Sequence, residues 1–145
     1  MKITLIVVGK TTDKRINDLV GEYAARVGHY IPFDIEVIPE LKNTKALSEQ
    51  QQKDGDWLVL LDEGGKEFRS VEFSNYIQKR QQTVPRRMVF LVGGPYGFAP
   101  SIYAKANEKI SLSRMTFSHQ MVRLFFVEQL YRAMTIMRGE PYHHE

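Results

Sequence analysis

The residues best able to do chemistry gather in the second half of this chain. Phe90–Phe98 reads FLVGGPYGF, a glycine-rich turn after an apolar run. Leu112–Phe117 reads LSRMTF, and His119 and Arg123 follow it at a spacing of four. Tyr142 and His143 close the chain. A glycine-rich loop after a strand can cradle a phosphate on its amides. An imidazole exchanges a proton near neutral pH. A guanidinium pairs a phosphate or an oxyanion, and a tyrosine ring stacks on an extruded base. The set therefore spans nucleotide binding, acid–base work and nucleic-acid recognition.

Spacing narrows the choice. A P-loop needs Gly-x₄-Gly-Lys-Ser/Thr, and no Lys-Ser or Lys-Thr follows Gly97. A dinucleotide fingerprint needs Gly-x-Gly-x-x-Gly opening a helix in the first strand–helix unit. Gly93-Gly94-Pro95-Tyr96-Gly97 has neither that spacing nor that place. What remains is a tight turn whose backbone approaches a ligand closely. LSRMTF offers peptide donors and acceptors beside Leu112, Met115 and Phe117. That mixture suits a neutral planar ring such as adenine better than a pyrophosphate. Cysteine is absent, which excludes disulfides, thiolate zinc sites and cysteine nucleophiles. His29, His119, His143 and His144 show no metal-ligand spacing, so no metal is expected.

Alternating elements position these residues. The β-branched run Lys2–Gly9 predicts a buried strand. Asp13–Gly28 has Ile16, Leu19, Val20, Tyr23 and Val27 at helical spacing. Phe33–Ile38 alternates like a strand, and Thr44–Asp54 reads as a polar helix. Trp57–Asp62 is a buried strand, Gly64-Gly65 a turn, and Ser70–Gln82 a helix. Arg87–Gly94 is a buried strand, Pro100–Asn107 a short helix and Lys109–Ser113 a last strand. A long helix spans about His119 to Met137. The order βαβαβαβαβα predicts an α/β fold, with a mostly parallel sheet between helices. Ligands in such sheets sit beyond the carboxyl ends of the strands. The loops Asp62–Lys66, Gly93–Phe98 and Leu112–Phe117 are therefore expected to meet in one site.

The 145 residues suit a single domain spanning 1–145. The longest early apolar run, Ile3–Val8, is too short for a signal peptide or a membrane span, so the expected place is the cytoplasm, with no membrane partner. The net charge of +3 favours a polyanionic partner only weakly, because the basic residues are scattered. Apolar residues lie nearly all round the last helix, with Leu124, Phe125, Val127, Tyr131 and Ile136 off its main face. The sheet covers one side of such a helix, so a symmetric homodimer is expected to cover another.

The opening MKITLIVVGK, the loop VGGPYGF and the run from Leu112 to Glu145 together resemble the ribosomal large-subunit pseudouridine N3-methyltransferases of the SPOUT class. The resemblance covers essentially the whole chain. Its specific motifs are Gly-Gly-x-x-Gly, Leu-Ser-x-x-Thr-Phe, His-x-x-x-Arg, Glu-Gln-x-Tyr-Arg-Ala and a terminal Pro-Tyr-His. It implies a SPOUT-type fold with a trefoil knot in the C-terminal half, a homodimer and S-adenosylmethionine as cofactor. Carried over position by position, the donor contacts are Leu61, Gly93, Leu112, Ser113, Arg114, Met115, Thr116 and Phe117. Gly64 and Gly65 match the first loop of the knot. Ser118-His119 stands where the family commonly has Pro-His, and His144 where it commonly has a basic residue.

The implied reaction methylates N3 of a pseudouridine in 23S ribosomal RNA, with the assembled ribosome as partner. The expected catalytic residues are His143 or His119 to take the imide proton, Tyr142 to stack on the base, and Arg123 to pair a phosphate or an oxyanion. Lys10, Lys14, Arg80, Arg86 and Arg87 are candidates for contacts to RNA phosphates. Two alternatives stay open: a SPOUT enzyme of transfer RNA, and a non-catalytic flavodoxin-like binding module.

Overall fold

The computed structural model describes residues 1–39, 53–93 and 97–144. Its elements are β1 (Lys2–Val8), α1 (Lys14–Gly28), β2 (Phe33–Ile38), β3 (Asp56–Glu67) and α2 (Ser70–Thr83), then β4 (Arg87–Val92), α3 (Pro100–Lys105), β5 (Glu108–Ser111) and α4 (Met121–Met137). The helix expected over Thr44–Asp54 falls largely outside the described residues, as does Tyr96. None of the described helices is long and apolar enough to cross a membrane.

Local chemistry accounts for the boundaries. Asp13 caps α1 by accepting from the amides of Arg15 at 2.8 Å and Ile16 at 3.3 Å. Pro100 opens α3, where a missing amide proton costs nothing. The four strands β1, β2, β4 and β3 pair in parallel, and β5 joins β3 in the same sense. The resulting order, β2-β1-β4-β3-β5, sends every carboxyl end to the same edge.

One face of the sheet carries Ile3, Leu5, Val59, Met88 and Phe90 against α1, α2 and α4. The other carries Ile6, Leu58, Leu60, Val89 and Leu91 against Ile102 of α3. Both faces are covered, which explains why β1 and β4 read as continuous apolar runs. Burying one such side chain contributes about 1.5–3 kcal/mol.

Three expectations change. First, α4 is flanked by α1 and α2 as well as the sheet, so its all-round apolarity is met largely within one chain. Phe125 is the large apolar side chain that α4 leaves exposed, at 38%. Second, β3 runs past the expected turn. Both Leu61 and Lys66 register on Ile110, so Asp62–Gly65 leave the ladder and return to the same β5 residue. Third, Arg80, Arg86 and Arg87 lie toward the amino ends of the strands, away from the candidate loops. Arg80 pairs with Glu108 at 2.6 Å and lies 4.8 Å over the Trp57 ring. Arg87 pairs with Asp56 at 2.5 Å, and Arg86 donates to the Asp54 carbonyl at 3.2 Å. Arg80 and Arg87 spend their charge on carboxylates that join strands, while Arg86 stays exposed with its bond to a backbone carbonyl.

Candidate active site

The carboxyl ends of β3, β4 and β5 open into a cavity of about 460 Å³. Leu61 and Asp62 form one wall, Gly93, Gly97 and Phe98 a second, and Ser111–Ser113 with Met115–His119 a third. The three loops expected to meet do meet. Of the expected donor contacts, Leu61, Gly93, Leu112, Ser113, Met115, Thr116 and Phe117 line this space. Arg114 does not. Its side chain turns outward to Glu67 at 2.7 Å and is 89% exposed.

The third wall is set by short local bonds. Ser111 Oγ donates to the Ser113 carbonyl at 2.8 Å, and the Met115 amide donates to Ser113 Oγ at 3.0 Å. The second wall depends on a missing side chain. A Cβ on Gly93 would lie 3.1 Å from the Phe98 ring and 3.3 Å from the Gly97 carbonyl oxygen.

The lining also holds Asp62 and Glu63, which lie in the first of the three expected loops without having been named as contacts, and Tyr103, which motif reading passed over. The Tyr103 hydroxyl donates to Asp62, and the Gly64 amide adds a second bond at 2.8 Å. Tyr103 chiefly, then that amide, holds Asp62 below the usual carboxylate range. The same bond pushes Tyr103 up to about 12. The latch joins the first loop to α3 across 41 residues, a pairing with no local signal. Only the position of Asp62 directly after Leu61 hinted at it.

A volume of several hundred Å³, apolar side chains, backbone groups and two carboxylates fit a nucleoside-sized ligand carrying positive charge. Among the described residues, the lining contains no lysine or arginine.

Arg123 departs from its expected role. Its side chain is buried, 2% exposed. Nε donates to the His119 carbonyl at 3.1 Å, Nη1 to the Gly9 carbonyl at 2.8 Å and to Thr11 Oγ1 at 3.0 Å, and Nη2 to the Val8 carbonyl at 2.8 Å. Burial pulls its pKa down. A guanidinium so committed cannot reach a phosphate; it ties the end of β1 to the start of α4. Gln120 reinforces the tie, accepting from the Thr12 amide at 2.9 Å and donating to the Lys10 carbonyl at 3.1 Å. His119 itself lines the cavity.

The tail is folded back on α4. Gly139 turns it with φ of +66°. Tyr30 then holds Glu140 at 2.7 Å. The Tyr142 hydroxyl donates to Glu128 Oε1 at 2.9 Å, its ring sits 4.7 Å from Tyr131, and the Arg132 guanidinium lies 4.8 Å over it. Burial, then bonds to Tyr23 and Glu128, raises its pKa. Arg132 bridges Glu128 at 2.5 Å and His143 Nδ1 at 3.1 Å. A guanidinium only donates, so Nδ1 accepts and the neutral ring carries its proton on Nε2.

Tyr142 and His143 do not line the donor-sized cavity. Arg132 lies ten residues beyond Val122 on α4, roughly 15 Å along its axis. Glu128, which both Tyr142 and Arg132 hold, instead borders a second cavity of about 300 Å³ behind the third loop.

A family model described as predicted SPOUT methyltransferase matches residues 1–143. The chain belongs to that family. This SPOUT chain is 60% identical to a protein of Phocaeicola vulgatus named ribosomal RNA large subunit methyltransferase H, over all of both chains. It is 59% identical to the protein of that name from Parabacteroides distasonis, again over all of both. Among solved structures, a methylase-family protein from Haemophilus influenzae aligns over 94% of the SPOUT chain and 66% of its own, at a TM-score of 0.54 and 8% identity. A methyltransferase from Legionella pneumophila, solved with its cofactor SAM bound, aligns over 92% and 66%, at 0.50 and 11%. At those identities the structures speak for the fold alone.

Proposed function

We propose that this chain transfers a methyl group from S-adenosylmethionine to N3 of a pseudouridine in 23S ribosomal RNA, acting on the assembled ribosome as a cytoplasmic homodimer. The observation that carries the reading is the meeting of the three loops in one cavity, in a chain whose relatives are named for methylating large-subunit RNA. A knotted C-terminal half belongs to the same reading.

The donor supplies a methyl group on a cationic sulfur. Leu61, Gly93, Leu112, Ser113 and Met115–Phe117 would hold it, with apolar side chains against its ring and backbone groups on its edge. Asp62 and Glu63 put negative charge near a positively charged ligand. Fixing donor and acceptor together removes roughly 7–11 kcal/mol of barrier. The imide must first lose its proton to solvent water, giving an anion whose charge the two ring oxygens share; that charge is discharged when the nitrogen takes the methyl group and the carbon–sulfur bond to it breaks. His143 was expected to take that proton, but its Nδ1 lone pair is engaged by Arg132. Its Nε2–H suits donation to a developing oxyanion instead.

His143→Ala is therefore expected to lower the single-turnover rate by roughly 10²–10³-fold, with donor affinity unchanged by calorimetry. An unchanged rate would remove His143 from the reaction. Gly93→Val is expected to abolish measurable donor binding, because the added side chain drives Phe98 out of its place in the second wall. Unaltered donor affinity would move the donor elsewhere. The reading as a whole is tested by tritium-methyl transfer to 70S ribosomes, 50S subunits and transfer RNA, followed by mapping of the labelled base. Label on transfer RNA alone, or on no RNA, would refute it. Light scattering reads the dimer.

A further inference from the structure

We propose that Asp62, latched to the Tyr103 hydroxyl in the cavity wall, sets the preference of the donor cavity for the charged methyl donor over the neutral product left after transfer. The proposal rests on the methyl-transfer reading above and gives the same cavity a second task, the release of what it has used.

Transfer breaks the bond between sulfur and the methyl carbon as the acceptor nitrogen bonds to that carbon. The electron pair stays on sulfur, so a sulfonium becomes a thioether. S-adenosylmethionine and the product, S-adenosylhomocysteine, share the adenosine and the amino-acid end. They differ by one methyl group and one positive charge. Apolar walls and backbone groups hold the shared parts of both alike. A fixed negative charge attracts the sulfonium and has no counterpart charge on the thioether.

Two carboxylates line the cavity among the described residues. Glu63 is exposed, where water and salt screen it, whereas Asp62 is half-buried. Asp62 Oδ2 accepts from the Tyr103 hydroxyl, and Oδ1 accepts from the Gly64 amide at 2.8 Å. Both bonds favour the ionised form, which keeps Asp62 charged at neutral pH. Each oxygen retains a further lone pair. The hydroxyl comes from α3 and the amide from β3, so the carboxylate is set from two elements. The Tyr103 ring is itself held edge to face against Phe98 at 5.6 Å, and both rings line the cavity. Lys109 also attracts the Asp62 charge, but it is not part of the lining. The charge that the described lining presents to a ligand is therefore negative.

That attraction belongs to the bound donor and not to the reaction. The charge on sulfur falls as the methyl group leaves, so the carboxylate favours the ground state over the transition state. Asp62 tightens the hold on the donor, does not speed the chemical step, and loses its grip on the product.

Calorimetry tests the proposal with three ligands: S-adenosylmethionine, S-adenosylhomocysteine and sinefungin, which carries an amine-bearing carbon in place of the methylated sulfur. Asp62→Asn keeps the size of the side chain and one acceptor oxygen but removes the charge. It should weaken the two cationic ligands about tenfold and leave S-adenosylhomocysteine within about twofold of wild type. The single-turnover rate at saturating donor should not fall. Tyr103→Phe keeps the ring and should shift the ratio of donor to product affinity in the same direction by a smaller factor. Glu63→Gln should leave that ratio unchanged. Equal weakening of all three ligands in Asp62→Asn would overturn the proposal, because a structural role or a bond to the shared amino group predicts it. So would a loss that spares sinefungin, which would mark a contact with the methyl group rather than its charge, or a lowered rate at saturation. An unmoved ratio in Tyr103→Phe would overturn the latch. A wild-type chain that binds none of the three overturns the methyl-transfer reading itself. A wild type that binds all three, with an unmoved ratio in Asp62→Asn, overturns this proposal alone.

Discussion

Gly65→Ala is expected to destabilise the protein by about 3 kcal/mol or more, while Gly64→Ala beside it stays within about 0.5 kcal/mol of wild type. A Cβ on Gly65 would lie 2.6 Å from the Ile110 nitrogen and the Lys109 carbonyl carbon, and 2.7 Å from the Ile110 carbonyl carbon. All three atoms are backbone, so no change of rotamer relieves the clash. Either the returning arm of β3 or the whole of β5 must move. At Gly64 the nearest atom is Asp62 Oδ1 at 3.4 Å, an ordinary contact with a side chain. Alanine also gains about 0.4–1 kcal/mol through the unfolded state, which offsets little at position 65. The pair is read by thermal unfolding. At roughly 2–4 °C per kcal/mol for a chain near this size, Gly65→Ala should melt about 6–12 °C early. A melting point within two or three degrees of wild type would show that the approach of β3 to β5 is not as close as described. Because Asp62 and Leu61 lie on the outgoing arm, the variant should also lose donor binding.

Arg123→Met is expected to cost about 3–5 kcal/mol, and to do so before any effect on RNA is considered. The substitution keeps much of the volume but removes every donor. The carbonyls of Val8, Gly9 and His119 then lose their partner at the buried junction of β1 and α4. Each buried polar group left unmet costs about 1–3 kcal/mol. The fall in melting temperature should be about 10 °C. Arg123→Lys should lie between, since one ammonium cannot span the same set of acceptors. A role in pairing phosphate predicts the opposite pattern: an unaltered melting point with weakened ribosome binding. Differential scanning calorimetry and a ribosome-binding assay on the same preparation separate them.

How far the fold was legible follows from what each element needs. β1 and β4 are covered on both faces, so their apolar runs betray them without any partner in view. Alternation of strands and helices implies parallel pairing, and parallel pairing brings the carboxyl ends together. That is why the three loops could be grouped from spacing alone. The order of the strands carries no such local mark. Nor does the return of β3 to Ile110, which depends on a strand more than forty residues later.

Single residues divide the same way. Leu112 was recognisable because it follows directly on a strand, whereas Leu61 came only with the family resemblance. Arg123 was misread because a charged residue four positions after a histidine looks functional, while its burial is decided by β1, over a hundred residues upstream. Arg80 and Arg87 looked available for RNA until Glu108 and Asp56 were seen beside them. The engagement of His143 Nδ1 by Arg132 needed the fold of the tail, and it reverses the direction in which the imidazole offers its proton.

The double registration of Ile110 bears on when the donor cavity comes into being. β5 pairs with β3 alone, and the two are separated by about forty residues of chain. Contacts of that separation form late, since the intervening chain loses entropy before they repay it. The third wall of the cavity is built on the end of β5 and arrives with it. A partly folded chain lacking β5 therefore offers a methyl donor only two walls out of three. A donor held by all three walls would favour the completed form by RT ln(1 + [L]/Kd), and that free energy would support the last cooperative step of folding rather than the closure of a local lid. Cellular S-adenosylmethionine would then act on this protein as a folding ligand as well as a reactant, and newly made chains would become resistant to proteolysis only when both β5 and the donor are in place.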